Sequence, residues 1–399
     1  MTLEWPFTQA SADVYKAGVL AARLIRSREG VSFYYAEEYL AELAPPIAST
    51  LPLTSEVRMT AAGSVPPYFA GLLPEGRRLG ALRRMVKTSV DDELSLLIVA
   101  GTDTIGDVQV VASGSGLPTE PEAVRLEVDF EQLRFADLLH DLGLDRPPSI
   151  AGVQDKLSAA MISVPISRRH ERYILKFNPP ENPHLVENEH HFLQWSRAAR
   201  IPTAAARLIR DLDGVPGLLV TRFDRVAGED RPQPLHVEDA AQALDIWPAD
   251  KYNVSFEQAA SVLMALSSAP LVTGLGLIKQ LVFAWLSGNG DQHAKNLSVL
   301  TGADGLIRLA PAYDLPSTLF YGDTTLALSV GGRDTLSLPR MRALATELGL
   351  RQAAVDRALG EILRRTEGMI DSLHALPFDP RSRDKVARQL VTRRRDLGR

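Results

Sequence analysis

The stretch GNGDQHAKNLSVL, residues 288–300, lies between an apolar helix-like segment and a short strand-like run. Within it, Asp291 and Asn296 enclose four residues, which is the spacing of a kinase catalytic loop. In such a loop the aspartate accepts the proton of the substrate hydroxyl, and the asparagine binds magnesium. Because this spacing is common by chance, it indicates a kinase only together with further residues.

A second acidic residue follows downstream. The segment LAPAYDLPST, residues 309–318, places Asp314 after a strand-like run, where its carboxylate could hold a magnesium ion that bridges ATP phosphates. An aspartate alone is more often a loop or helix-capping residue. Asp291 and Asp314 in this order and at this separation therefore favour phosphoryl transfer.

Upstream, a predicted strand of mainly apolar residues contains a single lysine. Lys176 lies within RYILKFNPP, residues 172–180, and burial of its charge would require an anionic partner such as the ATP phosphates. Glu189 follows on a predicted helix and could orient this lysine. The alternative is an edge-strand lysine that points to water, since successive strand side chains alternate between faces.

Two segments on either side of this lysine could complete a nucleotide site. SIAGVQDKLSA, residues 149–159, could form a turn whose backbone N–H groups face phosphate, although it has one glycine where a protein-kinase loop has three. Residues 220–223, VTRF, end a predicted strand and could be the hinge against which adenine lies.

Composition narrows the class of protein. The 399 residues are 45% hydrophobic and 23% charged, as in a globular protein, and the net charge of −5 does not suit a chain that binds nucleic acid over its whole surface. Cysteine is absent, which excludes disulfides, zinc–thiolate sites and thiol nucleophiles. The N-terminus lacks the basic start and apolar core of a signal peptide, and no uninterrupted apolar run is long enough to cross a membrane. We therefore expect a cytoplasmic protein without membrane contact.

The order of predicted elements indicates an α+β protein. Strand-like runs on both sides of a polar turn open the chain, and helical segments follow up to about residue 100. The Gly- and Pro-rich stretch GSGLPTEPE, residues 114–122, is typical of a linker. Further strand-like runs precede residue 224, and from about residue 236 the pattern is helical to the end. Strands followed by helices favour the α+β class.

Taken together, the motifs resemble those of a known family, the HipA kinases. SIAGVQDKLSA, the YILKF lysine, ENEHHFL, TRFDR, HVEDAAQAL, GNGDQHAKN and AYDLPS occur in the family's order, and VYKAGVLAARLI and YFAGLLPEG resemble its N-terminal subdomain. The resemblance implies a two-lobed, protein-kinase-like α+β fold. It would consist of a small β-rich N-terminal subdomain (1–115), a nucleotide-binding region similar to a kinase N-lobe (145–235), and an all-helical C-lobe with the catalytic and metal-binding loops (236–399).

The resemblance also implies a role for each matched residue. Asp291 would be the catalytic base, Asn296 and Asp314 the magnesium ligands, and Ser149 a site of autophosphorylation that switches the kinase off. The residues that would contact ATP are Ala151, Gly152, Val153, Gln154, Asp155, Lys156, Lys176, Thr221, Arg222, Phe223, His293, Lys295 and Tyr313.

As a member of this family, the chain would be an ATP- and Mg²⁺-dependent serine/threonine kinase and the toxin of a type II toxin–antitoxin pair. Its partners would be a HipB-like DNA-binding antitoxin, and operator DNA mainly through that antitoxin. Its substrate would be an aminoacyl-tRNA synthetase, such as glutamyl-tRNA synthetase, whose phosphorylation inhibits translation and promotes growth arrest and persistence. The basic run Arg393–Arg395 could touch operator DNA, although such a run is more often a solvated helix face.

Three other functions are compatible with parts of the sequence. The chain could be a small-molecule phosphotransferase of similar fold, or a catalytically silent corepressor that acts with a DNA-binding antitoxin. The joint presence of Lys176, Asp291, Asn296 and Asp314 disfavours a silent kinase fold. A metal hydrolase built on Asp291 and His293 is least favoured, because that pair supplies only two ligands.

Overall fold

An antiparallel sheet opens the fold. The computed structural model describes residues 11–61, 63–118, 124–125, 129–145, 161–168, 171–228 and 232–398. The first strands are β1 (Ser11–Lys16), β2 (Val19–Arg26), β3 (Gly30–Tyr35), β4 (Arg58–Ala61) and β5 (Val108–Ala112). They pair in the order β4-β3-β2-β1-β5. Gly18 has a φ of 87° in the tight turn between β1 and β2, a conformation that glycine adopts without a steric penalty.

Four short helices accompany this sheet: α1 (Glu37–Ala41), α2 (Pro67–Gly71), α3 (Gly76–Val86) and α4 (Glu93–Ala100). Tyr68 and Phe69 of α2 are fully buried, and the Phe69 ring centroid lies 5.6 Å from that of Phe33 in β3. Residues of α1, α2 and α4 share one apolar core with the sheet, whereas Leu82 and Val86 of α3 form a separate small cluster with Leu96 of α4. The α2–α3 connection lies against the later part of the chain, where Glu75 pairs with Lys251 and Lys295.

The second sheet carries the predicted nucleotide-binding lysine. Its strands are β6 (Val124–Arg125), β7 (Ile162–Arg168), β8 (Glu171–Phe177), β9 (Ala206–Arg210) and β10 (Pro216–Thr221), accompanied by α5 (Phe135–Asp141) and α6 (Leu185–Ala198). The strand order is β6-β7-β8-β10-β9. Lys176 of β8 lies opposite Ser163 of β7 and Leu218 of β10. It is therefore at the centre of the sheet, and the edge-strand alternative is wrong.

The remainder of the chain is mainly helical. Its elements are β11 (Arg225–Val226), β12 (Gln233–Pro234), β13 (Val237–Asp239), α7 (Ala240–Ala243), α8 (Phe256–Leu266), α9 (Pro270–Ser287), β14 (Ser298–Thr301), β15 (Ile307–Leu309), α10 (Leu338–Glu347), α11 (Gln352–Arg365) and α12 (Pro380–Asp396). The strands β13, β14 and β15 form a small antiparallel sheet, and β14 begins directly after the candidate catalytic loop. The expectation of an all-helical C-lobe missed this sheet, because strands of three or four residues are too short to show alternation.

The long apolar helix α9 is the central helix of this lobe. By length and composition it could cross a membrane, but 67% of it is buried inside the protein. Trp285 of α9 donates a hydrogen bond of 3.1 Å to the carbonyl of Arg393, and the Arg393 guanidinium lies 4.2 Å from the centroid of the Trp285 ring. Arg394 donates to the carbonyls of Leu363 and Thr366. These two arginines of the basic run therefore hold α12 to the lobe, and their guanidinium groups are engaged within the fold.

Candidate active site

The centre of the candidate site is a buried trio of charged side chains. Lys176 Nζ lies 2.8 Å and 2.9 Å from the two carboxylate oxygens of Glu189 and 2.7 Å from Oδ1 of Asp314. Lys176 is buried because β8 is a central strand of its sheet. Glu189 lies on α6, which packs so that its carboxylate contacts this lysine. Asp314 has a φ of 58°, a left-handed conformation that is uncommon for a residue with a side chain. The chain therefore bends sharply where this carboxylate joins the trio.

The trio has one more negative charge than its single ammonium group can neutralise. Burial, together with the neighbouring Asp314 carboxylate, raises the pKa of Glu189 to about 7, even though Lys176 opposes that rise. Burial also acts against the charge on Lys176, but the two carboxylates raise its pKa above the ordinary value. The same ammonium lowers the pKa of Asp314 against the effect of burial. The surplus charge at Asp314 suits an additional cation.

This donor set fits magnesium. Mg²⁺ is commonly bound through one or two carboxylates together with substrate phosphates, so it does not require a cage made only of protein groups. No group of three histidine, aspartate or glutamate side chains in the described ranges gathers as a metal site. Asp314 is the carboxylate of the trio that could hold the ion, and Asn296 as a second protein ligand stays a prediction.

The catalytic loop is fixed by hydrogen bonds to its own backbone. Asn289 Oδ1 accepts from the Asp291 N–H at 2.8 Å, and Asn296 Nδ2 donates to the Asp291 carbonyl at 2.8 Å. Asn289 also donates to the Asp314 carbonyl at 3.3 Å, which links this loop to the segment that carries the Asp314 carboxylate of the trio. Gly288, with a φ of 73°, ends α9 just before the loop. Asp291 is almost completely buried, with 2% of its surface exposed.

A cavity of about 310 Å³ opens beside the trio and is lined by three parts of the chain. Lys176 and the hinge residues 221–223 form one side, and Lys295, Tyr313 and Asp314 form another. Residues 71–74 and 103–105 of the N-terminal subdomain form the third side. The described wall does not include Asp291, His293 or Asn296. These residues are buried in the catalytic loop.

The hinge residues have different environments. The Phe223 and Tyr313 rings lie on the cavity wall with their centroids 5.5 Å apart. The Arg222 guanidinium donates to Asp103 at 2.6 Å, to the Thr104 carbonyl at 2.6 Å and to Asp224 at 2.8 Å. The side chain of Arg222 thus ties the hinge to the N-terminal subdomain. A contact of this residue with ATP stays a prediction.

The sequence analysis missed three functional candidates: Glu75, Lys251 and Tyr252. Glu75, at the start of α3, accepts a hydrogen bond from Lys295 at 2.7 Å and also pairs with Lys251. Tyr252 donates a hydrogen bond of 2.6 Å to Oδ1 of Asp291. Each comes from a short connection between helices, where no periodic pattern marks a residue. Glu75 does lie within the quoted YFAGLLPEG stretch, but the two lysines that it meets are far along the chain.

Of the remaining predicted residues, His293 and Tyr313 lie in the described part of the chain, and the others lie outside it. Burial and the nearby Lys251 lower the pKa of His293 to about 3, so its imidazole is neutral at physiological pH. Tyr313 donates a hydrogen bond of 2.7 Å to the Lys295 carbonyl. Ser149 and the whole predicted phosphate turn, Ala151–Lys156, lie outside the described residues, so their roles stay predictions.

Comparison with known proteins places the sequence of this chain in a family. A model of the HipA N-terminal domain matches residues 12–111, and a model of the HipA-like C-terminal domain matches residues 148–370. The chain belongs to the HipA family. The predicted family membership is thereby confirmed.

Two curated relatives, one of them named HipA, align over most of the chain. A putative kinase, Y4mE, from Sinorhizobium fredii is 28% identical over 384 residues, which cover 90% of this chain and 89% of the relative. The serine/threonine-protein kinase toxin HipA of Shewanella oneidensis is 26% identical over 351 residues, or 80% of this chain and 79% of that one.

The HipA fold is confirmed by a solved structure. A chain of the Shewanella oneidensis MR-1 complex of HipA, HipB and operator DNA superposes with a TM-score of 0.74 at 20% identity, over 97% of both chains. The predicted two-lobed, kinase-like α+β architecture is therefore correct.

Proposed function

We propose that this chain is an ATP- and Mg²⁺-dependent serine/threonine protein kinase and the toxin of a toxin–antitoxin pair. The observation that carries the proposal is the buried contact of Lys176 with both Glu189 and Asp314, beside a cavity whose wall includes the hinge. Protein kinases require a strand lysine paired with a helix glutamate, together with a metal-binding aspartate. Membership of the HipA family and the kinase names of its relatives support the same activity.

In this mechanism the protein mainly positions groups and balances charge. Asp291 would accept the proton of a serine or threonine hydroxyl, whose oxygen forms the new bond to the γ-phosphorus while the bond to the β,γ-bridging oxygen breaks toward ADP. Lys176 and Lys295 would hold the phosphates, and Asp314 and Asn296 would hold magnesium. The bound metal would supply charge neutralisation on the phosphate oxygens.

The biological role is proposed from the relatives. A HipA relative has been solved with HipB and operator DNA, which supports a HipB-like antitoxin as partner and operator DNA as a contact made mainly through that antitoxin. The substrate would be an aminoacyl-tRNA synthetase in the cytoplasm, and its phosphorylation would arrest growth. Autophosphorylation at Ser149 would then switch the kinase off.

The test is transfer of label from γ-labelled ATP with Mg²⁺, mapped by mass spectrometry. Wild type, Asp291→Ala, Asp314→Ala and Ser149→Ala are compared for self-labelling and for labelling of a purified glutamyl-tRNA synthetase. We expect label on Ser149 and on the synthetase with wild type, and none with either aspartate variant. Ser149→Ala should still label the synthetase.

Other outcomes would favour the alternative functions. ATP binding without label on any protein would contradict the kinase activity and favour a corepressor that acts with a DNA-binding antitoxin. Label recovered only on small molecules of a filtered lysate would instead favour a small-molecule phosphotransferase.

A further inference from the structure

Tyr252 lies directly against the candidate catalytic base. Its hydroxyl donates a hydrogen bond of 2.6 Å to Oδ1 of Asp291. A hydrogen bond to an ionised carboxylate is charge-assisted, and such bonds are shorter and stronger than those between neutral groups. The backbone hydrogen bonds of the loop, made by Asn289 and Asn296, fix the main chain of Asp291 but not the torsion of its carboxylate.

The residues beside Tyr252 hold its hydroxyl in place. The Lys251 carbonyl accepts a hydrogen bond of 3.1 Å from the Ala294 N–H, so the segment is joined to the catalytic loop by its backbone. The Tyr252 ring meets the His293 ring edge-on, with centroids 4.9 Å apart and planes at 84°. Lys251 itself pairs with Glu75 of the N-terminal subdomain. The phenol is therefore fixed at its backbone and at its ring.

We infer that Tyr252 is a positioning residue that orients the Asp291 carboxylate toward the substrate hydroxyl, an inference that rests on the proposed function. A base works only when its lone pair points at the proton that it removes, and a small misplacement is costly in rate. Tyr252 engages one carboxylate oxygen and so limits rotation of the group. Its effect belongs to the transfer step and not to nucleotide binding, because the described cavity wall does not include Tyr252.

The matched variants are Tyr252→Phe and Tyr39→Phe, each of which removes one phenol hydroxyl. The Tyr39 hydroxyl donates to the Pro45 carbonyl at 2.8 Å in the N-terminal subdomain and serves as the control. The readouts are the single-turnover rate of label transfer from γ-labelled ATP–Mg²⁺ to the full chain, the Kd of ATP by titration calorimetry, and the thermal unfolding temperature.

We expect Tyr252→Phe to slow transfer about 10- to 100-fold, as for other groups that orient a reacting residue, with the Kd of ATP within about twofold of wild type. In an Asp291→Asn background the same change should cause no further loss, because the two residues act as one unit. Tyr39→Phe should transfer at the wild-type rate.

Two results would overturn the inference about Tyr252 and leave the proposed function intact. One is a transfer rate in Tyr252→Phe equal to that of Tyr39→Phe. The other is a loss of rate matched by an equal loss of ATP affinity and of thermal stability, which would indicate a purely structural tyrosine. Absence of transfer with wild type would overturn the proposed function, and the inference with it.

Discussion

Lys295 of the catalytic loop donates a hydrogen bond of 2.7 Å to Glu75 of the N-terminal subdomain, across 220 residues of sequence. It also donates to the Gly71 carbonyl at 3.1 Å. The N-terminal subdomain is therefore in direct contact with a lysine that we expect to hold phosphate. Glu75 is shared with Lys251, so one carboxylate neutralises part of the charge of two buried ammonium groups.

We expect Glu75→Gln to lower the free energy of unfolding by about 1–3 kcal/mol, because it leaves two neighbouring ammonium groups without their common counter-ion, although Glu75 itself is partly exposed. The rate of phosphoryl transfer should fall as well, since Lys295 loses its anchor. Urea unfolding and labelling with γ-labelled ATP would measure the two effects. Asp304→Asn, which breaks a fully exposed pair with Arg308, is the control and should change neither. Faster transfer in Glu75→Gln would mean that Glu75 restrains the lysines.

Asp314→Asn and Lys176→Met should separate stability from activity. The first leaves Lys176 in a balanced pair with Glu189, so thermal stability should stay close to that of wild type although transfer is lost. The second leaves two buried carboxylates without their ammonium group and should cost about 3–5 kcal/mol. Differential scanning calorimetry and label transfer would test both. Equal destabilisation by the two substitutions would contradict the charge balance described for the trio.

Glu189 should make the stability of the chain depend on pH. Since burial is the main cause that raises its pKa from 4.5 to about 7, the folded protein binds a proton more tightly than the unfolded chain does. Stability from this group is fully present below about pH 4.5 and is lost as the pH rises through about 7. We expect the difference in unfolding free energy between wild type and Glu189→Gln to change by about 1–3 kcal/mol between pH 5 and pH 8. A difference that is independent of pH would show that Glu189 keeps an ordinary pKa.

Arg222 should be essential for stability because of its buried partners. Its side chain is 2% exposed and meets the carboxylates of Asp103 and Asp224, so Arg222→Met leaves two buried charges without this partner. We expect a loss of about 3–5 kcal/mol by urea unfolding. Arg342→Met, which breaks a solvent-exposed pair with Asp356, should be nearly neutral. A small effect of Arg222→Met would show that Arg225 compensates for the loss.

The sequence predicted those parts of the site whose residues are close together in the chain. Asp291 and Asn296 have a fixed spacing within one loop, and Lys176 and Glu189 lie on a strand and the helix that follows it. The structure brings Lys176, Glu189 and Asp314 into direct contact. A catalytic or metal-binding role for these residues stays a prediction until activity is measured.

Contacts between distant segments could not be predicted in this way. Nothing in the local pattern around Glu75 or Tyr252 indicates that each will meet the catalytic loop, since single polar residues in short connections carry no periodicity. The hinge gives a further example, because the sequence marks Arg222 as part of a strand end and does not reveal that Asp103 lies opposite. The sequence predicted a helix from about residue 236, over HVEDAAQAL. In the structure, the first residues of this stretch form β13, which pairs with β14, and α7 begins only at Ala240.

The three-sided wall of the cavity has a consequence for the order of synthesis. Residues 71–105 leave the ribosome early, but Lys295, which completes the contact with Glu75, is translated 220 residues after it. Trp285 of α9 is held by Arg393, which is translated 108 residues after it. A nascent chain that ends before Lys295 therefore lacks one side of the cavity. All three sides exist only after the ribosome has translated Asp314, which is on the wall with Lys295 and Tyr313.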